Sequence, residues 1–545
     1  MNLVRSLSLA SISALTFLAA CGDRPAAWSA GTGGARAFGL EGAVVVVDPP
    51  ANRAVALEAG ADGDPLAVVT TRLPLGHDIV ATQVGADGRH LYVLSAGHRA
   101  TLGDPRPDEA PRLTIIDGGA HPTAARDIVL DTLSDPLDGL TVDPTGRWAV
   151  LYAASGAGQA FVRNPNELVV VDLRPTGADA PATVSLHSFG GHPERLIFAP
   201  PLTLPSGLAH LLIVQSAQDL ALVTLDDLTR PEITVRLTDA ATLARPRPVE
   251  IVIDDGDVAR NDDARIGVRF EGQTSVMTLQ LAPASGPNGY APAINVADVG
   301  GVPTAIAFVR TDGGLRLAAL VPARSRAVLV DPVTTITTEV ALPAGYQRLS
   351  LVSSAAAGAQ AAPAGGDVAL LWNAGGASAG VAFWELGQAA GKPFRSIETV
   401  GIDANVDGVA DVPAPNDTLK VLSTVAGSAF YVLDLGDRTA TPLLTSRLNV
   451  DVVVSPTGRR VWAFVPGESA LASTSLDTKH VTTLRVDGQC DAVFEIGRAA
   501  GAGRALIALQ TTNGVGATVF DAEAPEGSNR RIYGALLTEG PYDDQ

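Results

Sequence analysis

Apolar runs that stop on an aspartate recur along the whole chain: VVVVD at Asp48, LTIID at Asp117, LVVVD at Asp172, LVTLD at Asp226, AVLVD at Asp331, YVLD at Asp434, STSLD at Asp477 and TVFD at Asp521. The intervals between these aspartates are 69, 55, 54, 105, 103, 43 and 44 residues, and the two long ones are close to twice the mean spacing of about 52. Copies with degraded endings, VMTLQL (Val276 to Leu281) and VAFWEL (Val381 to Leu386), fill those two gaps. Polar turns separate apolar strands at Ala86-Asp87-Gly88-Arg89, Pro144-Thr145-Gly146-Arg147 and Pro456-Thr457-Gly458-Arg459, with a looser copy at Thr311-Asp312-Gly313-Gly314. Asp or Thr followed by Gly between apolar runs marks a hairpin, since glycine accepts the positive φ of the turn.

A unit of this length made only of strands has room for four of them and exposes two apolar faces when alone. Radial stacking against neighbours buries both faces, which is the logic of a β-propeller blade. The nine intervals predict an all-β fold, a single β-propeller of about eight four-stranded blades with seven to nine possible. The early strand Val44 to Asp48 is expected to complete the last blade, near Arg531 to Leu537, and so close the ring. Two smaller propellers are the alternative, because residues 355 to 366 (AAAGAQAAPAGG) are of low complexity. That stretch reads as a surface loop inside one blade.

Composition narrows the partners. With 46% hydrophobic against 18% charged residues the 545-residue chain is not disordered. A net charge of −19, with lysine only at Lys392, Lys420 and Lys479, argues against nucleic acid, whose binding draws on basic side chains. Two cysteines cannot make a disulfide framework, and Cys490 reads as a small buried hydrophobe on a strand Cys490 to Ile496.

Residues 1 to 21 read MNLVRSLSLASISALTFLAAC: Arg5, then an apolar run too short to span a bilayer, then Leu18-Ala19-Ala20-Cys21. This segment resembles the bacterial lipoprotein signal peptide. The resemblance implies cleavage after residue 20, diacylglyceryl transfer to the Cys21 thiol, and membrane attachment through acyl chains alone. It divides the chain into a signal peptide (1–20), a flexible Gly/Ala-rich tether (21–40) and a propeller (41–545). Loss of Arg5 takes the mature charge to −20. No later segment offers 18 uninterrupted apolar residues. Gly22 after the cysteine, rather than an acidic residue, points to the outer membrane.

The phrasing of Gly85 to Ser95 (GADGRHLYVLS) and Ser455 to Val465 (SPTGRRVWAFV) resembles the YVTN-type propeller repeat of bacterial surface and lactonase-like proteins, over two or three blades. Residues Asp403, Asn405, Asp407, Val409 (through its carbonyl) and Asp411, with Gly408 at the sixth position, place oxygen ligands where a calcium loop needs them. This pattern resembles the D-x-[DN]-x-D-G-x-x-D loops of integrin-type and FG-GAP propellers and implies one structural calcium ion. Ala414 stands where an EF-hand needs its bidentate carboxylate.

Catalytic signals are poor. Gly376-Ala377-Ser378-Ala379-Gly380 matches G-x-S-x-G, but that motif needs a strand-to-helix elbow, and a strand-to-strand turn fits better here. His187 and His192 make only a weak pair, and the acidic run Asp254 to Asp263 reads as a solvated hairpin loop. Trp148, Trp372, Trp384 and Trp462 read as blade packing. No catalytic residue is assigned. The expected function is that of a monomeric, lipid-anchored cell-envelope module that binds or scaffolds a protein, peptide or glycan. The alternative is a lactonase-like hydrolase with its site in the central funnel.

Overall fold

The computed structural model describes residues 34–532, apart from 61–63, 99–107, 131–136, 155–164, 175–180, 188–191, 238–245, 258, 353–366, 375–379, 388–395, 403, 425–428, 445–449, 499–502 and 512–515. These residues form ten four-stranded antiparallel sheets of consecutive strands, spanning 36–74, 79–129, 139–185, 195–236, 248–298, 305–341, 348–400, 406–444, 451–490 and 492–532. They are blades 1 to 10. First strands of successive blades touch one another, so they lie innermost, and each sheet runs outward in chain order. Blade 4 inserts a small hairpin, Leu202–Leu204 with Gly207–Ala209, after its first strand.

Burial explains the apolar runs. Ala43–Asp48 of blade 1 is buried throughout: Val44 and Val46 pack toward blade 10, while Val45 and Val47 pack toward blade 2. Successive side chains of a strand point to opposite faces, so a strand buried on both faces reads as continuously apolar. Each fully buried Val, Leu or Ile contributes about 1.5–3 kcal/mol. One apolar cluster fills every gap between neighbouring blades, and the gap between blades 10 and 1 holds Ile496, Ile507 and Val519 against Val44, Val46 and Leu57. The ring is therefore closed. At that joint the Gly497 N–H donates to the Glu41 carbonyl at 2.6 Å, and Ala59 bridges Arg498 in parallel.

Three expectations need correction. There are ten blades rather than about eight, because nine intervals have ten ends and each copy of the motif owns a blade. Val44 to Asp48 does not complete the last blade. It pairs with Arg36–Gly39 and Arg53–Ala59, and blade 10 takes its outer strand Asn529–Ile532 from its own sequence. The tether ends before residue 40, since Arg36–Gly39 is the inner strand of blade 1. Residues 355–366 lie outside the described residues, between Arg348–Val352 and Val368–Trp372 of blade 7. They interrupt a blade and not the ring.

The aspartates have a mechanical role. Most of them turn the chain from the third strand toward the fourth by accepting backbone N–H groups two or three residues on: Asp117 from Gly119 at 2.9 Å, Asp331 from Val333 and Thr334 at 3.0 and 2.9 Å, and Asp434 from Gly436 at 2.9 Å. This is the Asx turn. Asp48 alone ends a second strand, which accounts for the 69-residue interval to Asp117.

Candidate functional site

Second and third strands are packed on both faces, so side chains that can meet a ligand come from inner strands, from turns and from the gaps between blades. Antiparallel order puts the first-to-second and third-to-fourth turns of every blade on one face of the ring. On that face a cleft of about 560 Å³ opens between blades 2 and 3, within the usual range for small-molecule pockets. Its floor is Tyr92, Ile115 and Leu173, all buried.

Two carboxylates stand in its walls, each already engaged. Asp117 takes Arg89 Nε and Nη2 on its two oxygens at 2.8 and 3.1 Å. That pair, with the Gly119 N–H, holds the Asp117 pKa below the usual carboxylate range. Asp87 accepts from the backbone N–H groups of Arg89 and His90 and lies 2.6 Å from His90 Nδ1. Burial opposes its charge, but these hydrogen bonds outweigh burial and the pKa is lowered.

Three arginines face these carboxylates. Arg147 lies over the Trp148 ring, 3.8 Å from its centroid, and donates to Asp226 of blade 4 at 3.2 Å. Arg174 pairs with Asp172. Arg126, on the outer strand Ala124–Val129 of blade 2, reaches across the gap and donates from Nη2 to the Leu173 carbonyl at 2.6 Å. Among the described residues no carboxylate pairs with it. Tyr92 is 3% exposed, and its hydroxyl has no hydrogen-bond partner among the described residues. Burial, with the Asp87 charge behind it, pushes its pKa up to about 12, so the hydroxyl is a donor at ordinary pH.

An equivalent cleft of about 400 Å³ lies between blades 9 and 10. Its centre is Glu495, with a side chain 2% exposed. The carboxylate accepts from Ser455 Oγ at 2.9 Å, Trp462 Nε1 at 2.7 Å and Arg504 Nε at 2.8 Å.

The residues singled out from sequence fall elsewhere. Cys21 lies outside the described residues, as do Asp403 and Ser378. Val406–Asp411 is the inner strand of blade 8, with a bulge between Val406 and Gly408. An extended run separates the Cα atoms of residues four apart by roughly 13 Å, too far for Asp407 and Asp411 to share one ion. Asp411 pairs instead with Lys420. The described donors therefore do not converge as a calcium cage. The acidic run is a hairpin loop, as expected, but it is less solvated than expected: Asp255 accepts from Thr203 of blade 4 at 2.6 Å. Trp148, Trp384 and Trp462 are buried in blade packing, and the buried Cys490 ends the outer strand of blade 9, its thiol pushed up to about 12 by burial. His187 contacts Glu232 rather than His192.

Sequence reasoning missed Tyr92 and Arg126. The turns at Gly88 and Gly146 beside them were visible, but as hairpins only. Arg126 carries no such signal, since a basic residue beside Asp127 on an exposed outer strand reads as ordinary surface.

No family model matches the chain, and no curated protein does. Among solved structures, dihydro-heme d1 dehydrogenase NirN in complex with DHE shares 13% identity, covering 83% of this chain and 75% of that chain, at a TM-score of 0.38. Apo AztD from Citrobacter koseri shares 10%, covering 71% and 94%, at a TM-score of 0.33. The Pseudomonas aeruginosa periplasmic gluconolactonase PpgL shares 16%, covering 56% and 83%, at a TM-score of 0.29. Likeness this distant carries no functional argument.

Proposed function

We propose that the protein is a monomeric, lipid-anchored module of the bacterial cell envelope, at the outer membrane, that binds a ligand in the cleft between blades 2 and 3. The observation that carries the binding half is the Arg126 guanidinium, held over an apolar floor by one hydrogen bond to Leu173 and paired with no carboxylate among the described residues. The anchoring half rests on the sequence around Cys21. Binding is favoured over hydrolysis because both lining carboxylates are already engaged, Asp117 by Arg89 and Asp87 by two backbone N–H groups and the His90 ring.

The test compares the full chain with Ala124→Trp, whose indole fills the cleft from the same strand face as Arg126. After crosslinking in native envelopes, ligand recovered with the parent and lost with Ala124→Trp supports the reading, and identical recovery overturns it. For the anchor, Cys21→Ser is expected to leave the membrane fraction and to lose labelled palmitate. With Asp411 paired to Lys420 and Asp407 four residues away on the same extended strand, chelation is expected to leave the thermal midpoint unchanged. A drop of several degrees would restore that ion to the proposal.

A further inference from the structure

We infer that the cleft between blades 2 and 3 takes an organic carboxylate with an apolar body, and that Arg126 meets the carboxylate. This rests on the reading of the cleft as a ligand site and adds the chemical class of the ligand.

Charge balance points there first. Asp117 is answered by Arg89, Arg147 by Asp226 and Arg174 by Asp172, while Asp87 is engaged by two backbone N–H groups and the His90 ring. Arg126 spends one N–H on Leu173. Guanidinium presents five donors in a planar fork that matches the two oxygens of a carboxylate. With Arg89, Arg147 and Arg174 each taken by an aspartate, Arg126 is the cation left over, which matches a monoanion better than a phosphate dianion that Asp87 and Asp117 would repel.

The second observation is the Tyr92 hydroxyl, an unpartnered donor on a side chain otherwise buried. An oxygen held by Arg126 can accept from it. The third is the floor. Ile115 and Leu173 offer apolar surface beside the cationic group. Covering such surface contributes about 25 cal/mol per Å², so a ligand with a nonpolar body gains where a small inorganic anion gains nothing.

The experiment is calorimetric titration of the full chain in detergent with N-acetylleucine, phenylacetate, the amide of each, and inorganic phosphate. N-acetylleucine stands for a peptide C-terminus and phenylacetate for a free organic acid, so the two arms separate the sources. At least one acid is expected to bind saturably, and its amide at least about tenfold more weakly. Arg126→Met is expected to remove that preference at an unchanged urea midpoint, Arg126→Lys to retain part of it, and Tyr92→Phe to weaken the acid several-fold. An amide binding as well as its acid, an Arg126→Met chain binding like the parent, or phosphate outbinding both acids overturns the inference. So does the absence of saturable binding by either acid. Each of these results leaves the cleft itself to be judged by the Ala124→Trp comparison.

Discussion

The joints between blades 2 and 3 and between blades 9 and 10 open clefts on the same face of the ring, and each draws on a Pro-Thr-Gly-Arg turn, at 144–147 on the later blade of the first and at 456–459 on the earlier blade of the second. Yet one is floored by Tyr92, Ile115 and Leu173, while the other is organised around a carboxylate that three donors satisfy. In the first, Arg126 pairs with no carboxylate among the described residues; in the second, Arg504 is held by Glu495. A blade joint thus becomes a structural node or an open cleft according to whether the side chains that enter the gap satisfy one another. The turn sequence does not decide it.

The largest effect is expected at the node. Glu495→Ala leaves Arg504 without its partner and the Trp462 N–H without an acceptor in a buried gap. Breaking a buried pair from one side costs about 3 kcal/mol, read as a fall in the urea midpoint. An unchanged midpoint would mean that the second cleft is as open as the first, and the contrast would collapse.

The twin turns sharpen the comparison. Gly146 and Gly458 both have left-handed φ values, 71° and 67°. A Cβ on Gly146 would meet only the Tyr92 hydroxyl, at 3.7 Å, whereas on Gly458 it would lie 1.9 Å from the Pro413 carbonyl of the neighbouring blade. Gly146→Ala is expected to cost about 1 kcal/mol for the backbone alone. Gly458→Ala should cost roughly twice that, because a backbone carbonyl must move. Equal losses would show that the blade 9 turn is not pinned by blade 8.

How much of this was legible follows from the same physics. The blade repeat was readable because strands buried on both faces leave continuous apolar runs, and because the Asx turn leaves an aspartate at a fixed place, as at Asp117 and Asp434. The number of blades was obscured by counting intervals, and ring closure by the expectation that Val44 to Asp48 was exchanged with the last blade. The cleft was illegible because Tyr92 and Arg126 are 34 residues apart, while Leu173 and Arg147 come from the next blade. Their meeting depends on radial stacking, which no local pattern encodes. The spacing at 403–411 suggested an ion, but spacing along a loop does not carry over to a segment that is an extended strand from Val406 onward.

Alkaline pH gives a smaller, signed effect, and comparison with Tyr92→Phe isolates the share that belongs to the first cleft. The folded pKa of Tyr92, about 12, lies above the ordinary tyrosine value of about 10. Its contribution is therefore fully present below pH ~10 and is lost as pH rises through 10 toward 12. Over that window the urea midpoint of Tyr92→Phe should fall less than that of the parent. Parallel curves would place the hydroxyl in water and not against the cleft floor.

The smallest effect belongs to the residue that matters most for binding. Arg126 lies on an exposed outer strand and its protein contact is the hydrogen bond to the Leu173 carbonyl. Leu173 already has its own N–H bonded to Arg147, and the gap below is filled by Leu94, Leu113 and Val169 without any help from the guanidinium. Arg126→Met should therefore change stability by no more than about 0.5 kcal/mol, against several times that for Glu495→Ala. A loss at Arg126 as large as the loss at Glu495 would make Arg126 a strut between blades 2 and 3, and the two joints would then differ in composition but not in kind.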